Sequence, residues 1–238
     1  MAKNNTFLLK LSGEVLGSDG LVFSPEKINF LISELSNALC DFSGKFGIVI
    51  GGGNIARGRE IISFGIPRIR ADHMGMLSTC INGIMLSEKL KSRGIKSKVI
   101  SALPCGNFTE IYSVERAREF LEKGYIPVFV MGTGNPLFST DTVAVLRAIE
   151  LGLEVVLKAT KVDGVYDKDP QKFKDAKMYK ELTFEEAIKY DLKVMDREAF
   201  VLAKVHGLKI HVFNAFVKGN LKRVINGEDI GTLVKNAT

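Results

Sequence analysis

The stretch "IVIGGGNIARG", residues 48–58, runs from an apolar, β-branched segment through three consecutive glycines toward a segment with helical character. Glycine permits positive φ and close backbone approach, so such a loop is typical of a phosphate or dinucleotide site. Residues 51–56 also satisfy the dinucleotide pattern G-x-G-x-x-G/A. The loop can therefore hold a dinucleotide, hold phosphate groups or be only a tight turn, and the rest of the sequence separates these alternatives.

Outward from this loop, short apolar runs recur at intervals that leave room for helices. They lie at residues 6–12, 46–51, 96–101, 126–131, 153–159 and 208–213. Strands that are apolar almost throughout and alternate with helices are typical of a largely parallel sheet covered on both faces. The predicted fold class is α/β, a three-layer α/β/α sandwich with a largely parallel central sheet.

Helix-start signals lie between these runs. Ser24 and Pro25 provide an N-cap followed by proline at the first helical position, and Thr183 with Glu186 provides a capping box. Residues 113–124 bracket a further helix. Another helix is predicted by an apolar stripe at i, i+3, i+4 and i+7 that ends near glycine 94: Leu77, Cys80, Ile81 and Ile84.

The net charge and the placement of the basic residues limit the classes of partner that the chain can bind. The 33 basic against 27 acidic residues give a net charge of +6, which suits anionic substrates as readily as nucleic acid. The densest basic stretch, residues 89–98, straddles a predicted helix end, where the helix dipole alone favours cations. We therefore interpret this stretch as a solvated helix end and expect no nucleic-acid partner.

The chain is predicted to form one domain, residues 1–238, because no linker is visible and 46% of its residues are hydrophobic. One polar segment, residues 161–181, breaks the strand and helix rhythm. It carries the turn signal Asp163-Gly164 and the pair Asp169-Pro170. We expect a hairpin or lid over the edge of the sheet.

The number and spacing of the cysteines indicate the cellular compartment of the protein. Cys40, Cys80 and Cys105 have no C-x-x-C spacing, and their odd, sparse number argues against a secreted disulfide framework. Cys40 and Cys80 are expected on apolar helix faces, and Cys105 has no obvious activating partner. With Lys10 interrupting the N-terminal apolar run, we expect no export signal, no membrane span and a cytoplasmic location.

Three predicted strands end in loops that contain glycine, and two cations accompany them. The loops carry Ser12-Gly13, Gly51 to Gly53, and Gly132 with Gly134; the cations are Lys10 and Arg57. Ligands of an open α/β sheet bind at the carboxyl ends of its strands, so these loops are expected to converge. Three such loops predict several phosphate groups. No G-x-x-x-x-G-K-[ST], HRD or DFG signature is present, which excludes the P-loop and protein-kinase families.

A dinucleotide is the weaker alternative. Asp72 lies about 20 residues beyond the glycine loop, as the fingerprint requires, yet it is expected before a helix instead of at a strand end. The loop also does not follow the first strand, and Arg57, expected in the first helical turn, adds a phosphate donor.

Taken together, several segments resemble the amino-acid-kinase superfamily and, within it, the branch of bacterial UMP kinases. They are residues 8–14, 50–58, 71–76, 132–142, 157–170 and 192–196. "DHMGM", residues 72–76, and "GTGNPLFSTD", residues 132–141, are the segments that separate this branch from relatives that make acylphosphates. The resemblance implies transfer of the γ-phosphoryl group of Mg-ATP to the 5′-phosphate of UMP.

The resemblance also implies roles for individual residues. Expected ATP contacts are Lys10, Leu11, Ser12, Gly13, Gly53, Arg57, Thr160, Tyr166 and Asp169. Expected UMP contacts are Gly52, Asp72, Thr133, Gly134, Asn135, Pro136, Leu137, Phe138, Ser139 and Thr140. Catalysis would use Lys10, Arg57, Asp141 and Asp196, although each aspartate is also a plausible helix N-cap.

Partners follow from the same resemblance. Mg²⁺ would be bound mainly through nucleotide phosphates, because the three histidines lack metal-ligand spacing and no protein metal site is expected. The family forms homohexamers, UTP is an expected inhibitor, and GTP is a possible activator through residues 17–23. The alternatives that remain open are an acylphosphate-forming kinase and a non-catalytic nucleotide sensor of the same fold.

Overall fold

The structure, a computed structural model, describes residues 6–18, 20–192 and 194–237. Within them, nine strands form one sheet in the spatial order β4-β3-β5-β2-β1-β6-β8-β9-β7. Neighbouring strands of this sheet are parallel except for the antiparallel pair β8 and β9. The strands are β1 Thr6–Leu11, β2 Lys45–Ile50, β3 Ser97–Ser101, β4 Glu110–Ile111, β5 Ile126–Val130, β6 Val155–Thr160, β7 Glu181–Thr183, β8 Lys209–Asn214 and β9 Thr232–Lys235.

Helices cover both faces of the sheet. One apolar core receives side chains from α1, α3 and α8, and the other receives them from α4 to α7. The predicted three-layer α/β/α sandwich is confirmed. The helices are α1 Pro25–Leu39, α2 Gly58–Ser63, α3 Arg68–Lys91, α4 Val114–Glu122, α5 Thr140–Leu151, α6 Phe184–Lys189, α7 Arg197–His206 and α8 Asn220–Ile225.

Each of the six apolar runs forms a strand, and three short strands were not predicted. The missed strands are β4, β7 and β9, which have two, three and four residues. They lie at the two sides of the sheet, where pairing with distant segments decides their conformation. So short a segment carries too little periodicity to be recognised from its own sequence.

The predicted helix caps are present. Ser24 precedes α1 and its hydroxyl accepts a hydrogen bond from the Lys27 amide. Thr183 and Glu186 form a complete capping box at α6. No helix within the described residues combines the length and apolar character needed to cross a membrane.

The segment after the three glycines differs from the prediction. It forms one turn, in which the amide of Ala56 donates to the carbonyl of Gly52, and Arg57 is extended, so α2 begins only at Gly58. The expectation that Arg57 lies in a first helical turn was therefore wrong. Pro67 then fixes the start of α3, because proline needs no hydrogen-bond acceptor at a helix start. Asp72 consequently lies inside α3 and not before it.

The predicted apolar stripe of α3 is only partly buried. Cys80 is 4% exposed, whereas Leu77 and Ile81 are 52% and 50% exposed. The buried face includes Gly83, where an added Cβ would lie 2.3 Å from Val130 of β5. The helix therefore packs on the sheet through small residues, which leaves part of its apolar surface facing solvent.

The polar segment 161–181 folds back on itself. The amide of Asp167 donates to the carbonyl of Lys177, and the amide of Tyr179 donates to the carbonyl of Val165. Val165 is buried, and the segment leads directly into β7 at the edge of the sheet. These contacts join the two halves of the segment; its role as a hairpin or lid stays a prediction.

Candidate active site

The first two glycine loops touch each other at one edge of the sheet. Strands β5, β2, β1 and β6 are parallel neighbours, so the loops that follow them share this edge. A Cβ added to Gly13 would lie 2.5 Å from Asn54 Oδ1 and 2.7 Å from the Gly53 amide nitrogen. Only glycine fits at position 13 without displacing the neighbouring loop. Gly53 itself has no heavy atom within 4 Å of its Cβ position, which leaves room for a ligand.

A buried asparagine, which the sequence patterns did not identify, holds the central glycine loop. Asn82 of α3 is fully buried and its amide donates to the carbonyl of Gly51 and to Asn54 Oδ1, both at 2.7 Å. Asn54 in turn donates to the carbonyl of Val22 at 2.9 Å. On the other side, a Cβ on Gly52 would lie 2.7 Å from the carbonyl of residue 75. The loop is therefore fixed before any ligand binds.

A cluster of three buried charged side chains lies beside these loops. Lys10 of β1 and Lys158 of β6 are cross-strand neighbours in the parallel register. Both ammonium groups contact Oδ1 of Asp141 in α5, at 2.8 Å and 2.5 Å respectively. Adjacent like charges destabilise a sheet unless an opposite charge lies between them. Asp141 provides that charge, and the cluster, here named the charge cluster, has a net charge of +1.

The charge cluster shifts the pKa of two of its members. Burial alone raises the pKa of Asp141, but attraction to Lys10 and Lys158 outweighs burial, and this pKa lies below its usual value. Burial, together with repulsion from Lys10, lowers the pKa of Lys158 to about 8. At neutral pH, Asp141 is therefore an anion and Lys158 carries most of a positive charge.

Neither candidate aspartate caps a helix with its side chain. Ser139 is the N-cap of α5 and accepts from the Asp141 amide at 3.0 Å. Asp196 occupies the N-cap position of α7, but its carboxylate accepts hydrogen bonds from the hydroxyls of Ser139 and Thr142. Burial and repulsion from Asp141 raise the pKa of Asp196. Both aspartates thus face the edge of the sheet that carries the glycine loops.

Two adjoining cavities, here together named the acceptor cleft, lie between α3, the loop before α5 and the start of α7. Their volumes are about 510 and 140 Å³, and both are lined by Asp72 and Phe138. The Asp72 carboxylate accepts from Arg68 Nε at 3.0 Å and from the Leu137 amide at 2.9 Å. Asp72 is thereby held in place with part of its oxygen surface facing the cleft.

The loop of residues 131–139 forms one wall of the acceptor cleft and is conformationally strained. Met131 and Leu137 have positive φ angles of 62° and 75°, which cost non-glycine residues about 1–3 kcal/mol each. The Met131 amide is fixed by donation to Thr79 Oγ1 at 2.8 Å. The turn is closed by Thr133 Oγ1, which accepts from the Asn135 amide at 3.1 Å. Such strain persists only where the surroundings impose the conformation.

The expected acceptor residues divide between the cleft and its supports. Those that line the cleft are Asp72, Asn135, Pro136, Leu137, Phe138 and Ser139. Those that lie in the adjoining backbone are Gly52, Thr133, Gly134 and Thr140, of which Gly52 packs against α3. The structure therefore brings this set together as one region.

The expected donor residues are more scattered. The Leu11 side chain is buried in the core, so only its backbone faces the loops, where its carbonyl accepts from the Gly51 amide. Ser12 caps a short 3-10 helix, and Arg57 is exposed and paired with Glu14 at 3.1 Å. Arg57 and Glu14 also line a polar cleft of about 300 Å³ beside Gly53. Arg57 is thus placed at a ligand-sized opening but outside the buried charge cluster.

The remaining donor residues follow β6. Thr160 ends this strand, and its hydroxyl donates to the carbonyl of Val162 at 2.6 Å, with the carbonyl of Phe213 also within 3.1 Å. Tyr166 pairs with Met178 in the folded-back segment, and Asp169 accepts from the Gln171 amide. The polar contacts of these three residues are therefore made within the protein. Among the described residues, no group of three or more histidine, cysteine, aspartate or glutamate side chains is arranged to hold a metal ion.

Lys158 is the charged site residue that sequence analysis missed. It lies in the apolar run 153–159, which predicts a buried strand and no charged functional residue. A signal was available, because Lys10 interrupts the first strand in the same way. Two lysines inside otherwise apolar strands that lie side by side in a parallel sheet indicate that both belong to one buried functional site.

Comparison with known proteins agrees with this geometry. Residues 5–214 match the model of the amino acid kinase family. A uridylate kinase of Campylobacter concisus is 48% identical over 231 residues, covering 96% of this chain and 97% of that relative. The solved UMP kinase of Bacillus anthracis superposes with a TM-score of 0.95 at 37% identity, covering 98% and 97% of the two chains. That of Ureaplasma parvum gives a TM-score of 0.90 at 33% identity, covering 97% and 98%.

Proposed function

The chain belongs to the amino acid kinase family, and we propose that it is a uridylate kinase. It transfers the γ-phosphoryl group of ATP to the 5′-phosphate of UMP and releases ADP and UDP. The observation that carries the proposal is the buried charge cluster of Lys10, Asp141 and Lys158. Lys10 lies just before the first glycine loop. Ser139 and Thr142, on either side of Asp141 in the sequence, line the acceptor cleft. The names of relatives at 48% and 37% identity agree with it.

The reaction needs positive charge and position more than it needs a base. The acceptor phosphate is already an anion near neutral pH, because its second pKa is about 6. Two polyanions must then approach in line, and fixed cations stabilise the charge on the transferred group. Lys10 and Lys158 provide these cations, and Asp141 holds both ammonium groups at 2.8 Å and 2.5 Å. The absence of a histidine from the proposed catalytic set fits this mechanism.

Asp72 is proposed to bind the ribose of UMP. A carboxylate accepts hydrogen bonds from two vicinal hydroxyls. Asp72 lines both cavities of the acceptor cleft while Arg68 and the Leu137 amide hold it in place. Ser139 and Phe138 lie along the same wall, where the nucleotide base would rest.

Mg²⁺ is proposed as the cofactor, bound mainly through the nucleotide phosphates. Magnesium binds phosphate and carboxylate oxygens and retains several waters, so it does not require a protein cage. The carboxylates present fit binding through the phosphates. The Asp141 carboxylate is already paired with two lysines, and the Asp196 carboxylate lies near it. When bound, the ion would supply positive charge that offsets the negative charge of the nucleotide phosphates.

Further proposals extend from the family resemblance. We propose one domain over residues 1–238 with residues 161–181 as a lid, a cytoplasmic location, inhibition by UTP and assembly into hexamers. Self-association is supported by exposed apolar side chains along α3, namely Met74, Leu77 and Ile81. Activation by GTP is proposed at residues 17–23, of which residue 19 lies outside the described part of the chain.

The first experiment is an acceptor comparison. ADP production from Mg·ATP is measured with UMP, CMP, AMP, acetylglutamate and carbamate. Strong turnover with UMP alone is the expected result. Turnover with a small acid and not with UMP would retain the charge cluster but refute the acceptor assignment. No turnover with any acceptor would favour a nucleotide sensor.

A further inference from the structure

The structure brings together two cysteines that the sequence keeps 25 residues apart. Cys80 Sγ in α3 and Cys105 Sγ in the loop between β3 and β4 are 3.4 Å apart. Cys80 is buried, and Cys105 is partly accessible to solvent. A disulfide needs a sulfur separation of roughly 2.05 Å, so the two atoms must approach by roughly 1.3 Å. A loop can make that adjustment, whereas the packed helix cannot.

The pair connects two supports of the loop that lines the acceptor cleft. Thr79, directly before Cys80, accepts from the Met131 amide at 2.8 Å. On the other side, a Cβ on Gly134 would lie 3.4 Å from Leu103 and 3.5 Å from the carbonyl of Ala102, two residues of the loop that carries Cys105. A covalent bond between α3 and the loop that carries Cys105 therefore alters the packing that supports residues 131–139.

We propose that Cys80 and Cys105 form a reversible disulfide when the chain meets a small-molecule disulfide, and that this bond weakens binding of the acceptor nucleotide. The second half rests on the proposed uridylate kinase function; the first half does not. The accessible Cys105 reacts first, and the buried Cys80 then closes the bond.

The chemistry balances as two exchange steps. Cys105 sulfur attacks the small disulfide, forms a mixed disulfide and releases one thiolate. Cys80 sulfur then attacks the Cys105 sulfur, forms the intramolecular bond and releases the second thiolate. Two cysteine thiols are oxidised, one small disulfide is reduced to two thiols, and the two cysteine protons end on those thiols.

The rate of closure depends on pH. Burial and the neighbouring Cys105 raise the pKa of Cys80 to about 12. Only the thiolate attacks a disulfide, so closure is slow at neutral pH and faster in alkali. The bond is therefore expected under sustained oxidation and not after brief exposure.

Cys40 provides a matched control. It is exposed at the end of α1, where its thiol contacts the Asn37 carbonyl and the Asp41 carboxylate, far from both members of the pair in sequence. The reduced wild-type chain and the variants Cys40→Ser, Cys80→Ser and Cys105→Ser are incubated with oxidised glutathione. Non-reducing peptide mapping by mass spectrometry then identifies the sulfur atoms that are linked.

The expected result is a peptide linking Cys80 to Cys105 in the wild type and in Cys40→Ser, and none in the other two variants. A stable glutathione adduct on Cys105 without that linked peptide would overturn the proposal. So would a link through Cys40. These readouts use no enzyme assay, so they stand whether or not the chain phosphorylates UMP.

The predicted effect of the disulfide on binding of the acceptor nucleotide is measured with the same samples. Displacement of active-site groups by about 1 Å can change rates and binding by up to 100-fold. We expect roughly a tenfold rise in the KM for UMP on oxidation, reversal by dithiothreitol, and an unchanged KM for ATP. The Cys105→Ser variant should keep its KM under oxidation. A linked peptide with an unchanged KM for UMP would refute the regulatory half.

Discussion

The charge cluster and the acceptor cleft lie side by side at one edge of the sheet, yet they are built in opposite ways. The charge cluster consists of three residues from β1, α5 and β6, each less than a tenth exposed and held by ion pairs of 2.5–2.8 Å. The cleft is walled by a loop with two positive φ angles whose Leu137 and Phe138 side chains are more than half exposed.

This difference separates two tasks. Separating buried paired charges leaves an uncompensated charge in the interior, so the charge cluster would present a fixed field to the proposed transferred group. An exposed loop held by a few hydrogen bonds positions a substrate and can adjust to it. Changes in the charge cluster should therefore act on kcat, whereas changes in the cleft should act on the KM for UMP.

The largest effect is expected from Lys10→Ala. Removing a cation that is proposed to stabilise the transferred phosphoryl group should lower kcat by roughly 10³-fold, with KM for either nucleotide changed much less. Steady-state kinetics at saturating Mg·ATP and UMP measure this. Lys45→Ala, which removes an exposed lysine at the opposite end of a neighbouring strand, is the control and should retain full activity. A pure KM effect in Lys10→Ala would show that Lys10 binds only the ground state.

A second test uses pH to titrate the charge cluster. Because the pKa of Lys158 is about 8, kcat/KM for Mg·ATP should fall by roughly tenfold per unit above that pH as the charge is lost. Bound phosphates favour the protonated form, so the fall in kcat itself should occur at higher pH.

Protein stability gives the control for this profile. The folded pKa of Lys158 lies below its ordinary 10.5, so the unfolded chain binds more protons between these values and this group makes folding more favourable as pH rises. Thermal denaturation measured across that window separates loss of activity from unfolding. In Lys158→Arg the alkaline fall should move upward, because guanidinium stays charged. An unchanged profile in that variant would exclude Lys158 as its source.

The proposed role of the acceptor cleft is tested by the variant Asp72→Asn. This variant keeps the shape of the side chain but removes the charge that strengthens hydrogen bonds to the ribose hydroxyls. The KM for UMP should rise by roughly tenfold with kcat little changed, since a charge-assisted hydrogen bond contributes about 1.5 kcal/mol or more. Arg68→Gln removes only the exposed partner of Asp72 and should change KM less than twofold. Equal effects of the two variants would mean that Asp72 acts only through its ion pair.

The same contrast explains what could be predicted from sequence. Apolar runs and glycines are local signals, so the six long strands and the contact between the first two glycine loops were predictable. The capping box at Thr183 was predictable for the same reason. Local signals failed where a tertiary contact decides the conformation, as at Arg57, where one turn stops before α2 begins.

The candidate site was predictable in its residue types but not in its connections. Asp141 resembled an N-cap from its place in "STDT", and only the packing of α5 against β1 and β6 shows it between two lysines. Asn82 and the proximity of Cys80 to Cys105 depend on how α3 lies across the sheet. No pattern within a single segment encodes that placement.

The smallest expected effect tests the strained wall of the cleft itself. Leu137 has φ of 75° and an exposed side chain, so Leu137→Gly removes backbone strain but adds freedom to the unfolded chain. The two terms are each about 1 kcal/mol and nearly cancel. Thermal stability should change little, while a looser loop should raise the KM for UMP by roughly threefold. Asparagine tolerates positive φ, so Leu137→Asn should keep the loop ordered and leave KM near the wild-type value. If both variants raise KM equally, the leucine side chain and not the restrained backbone is what UMP requires.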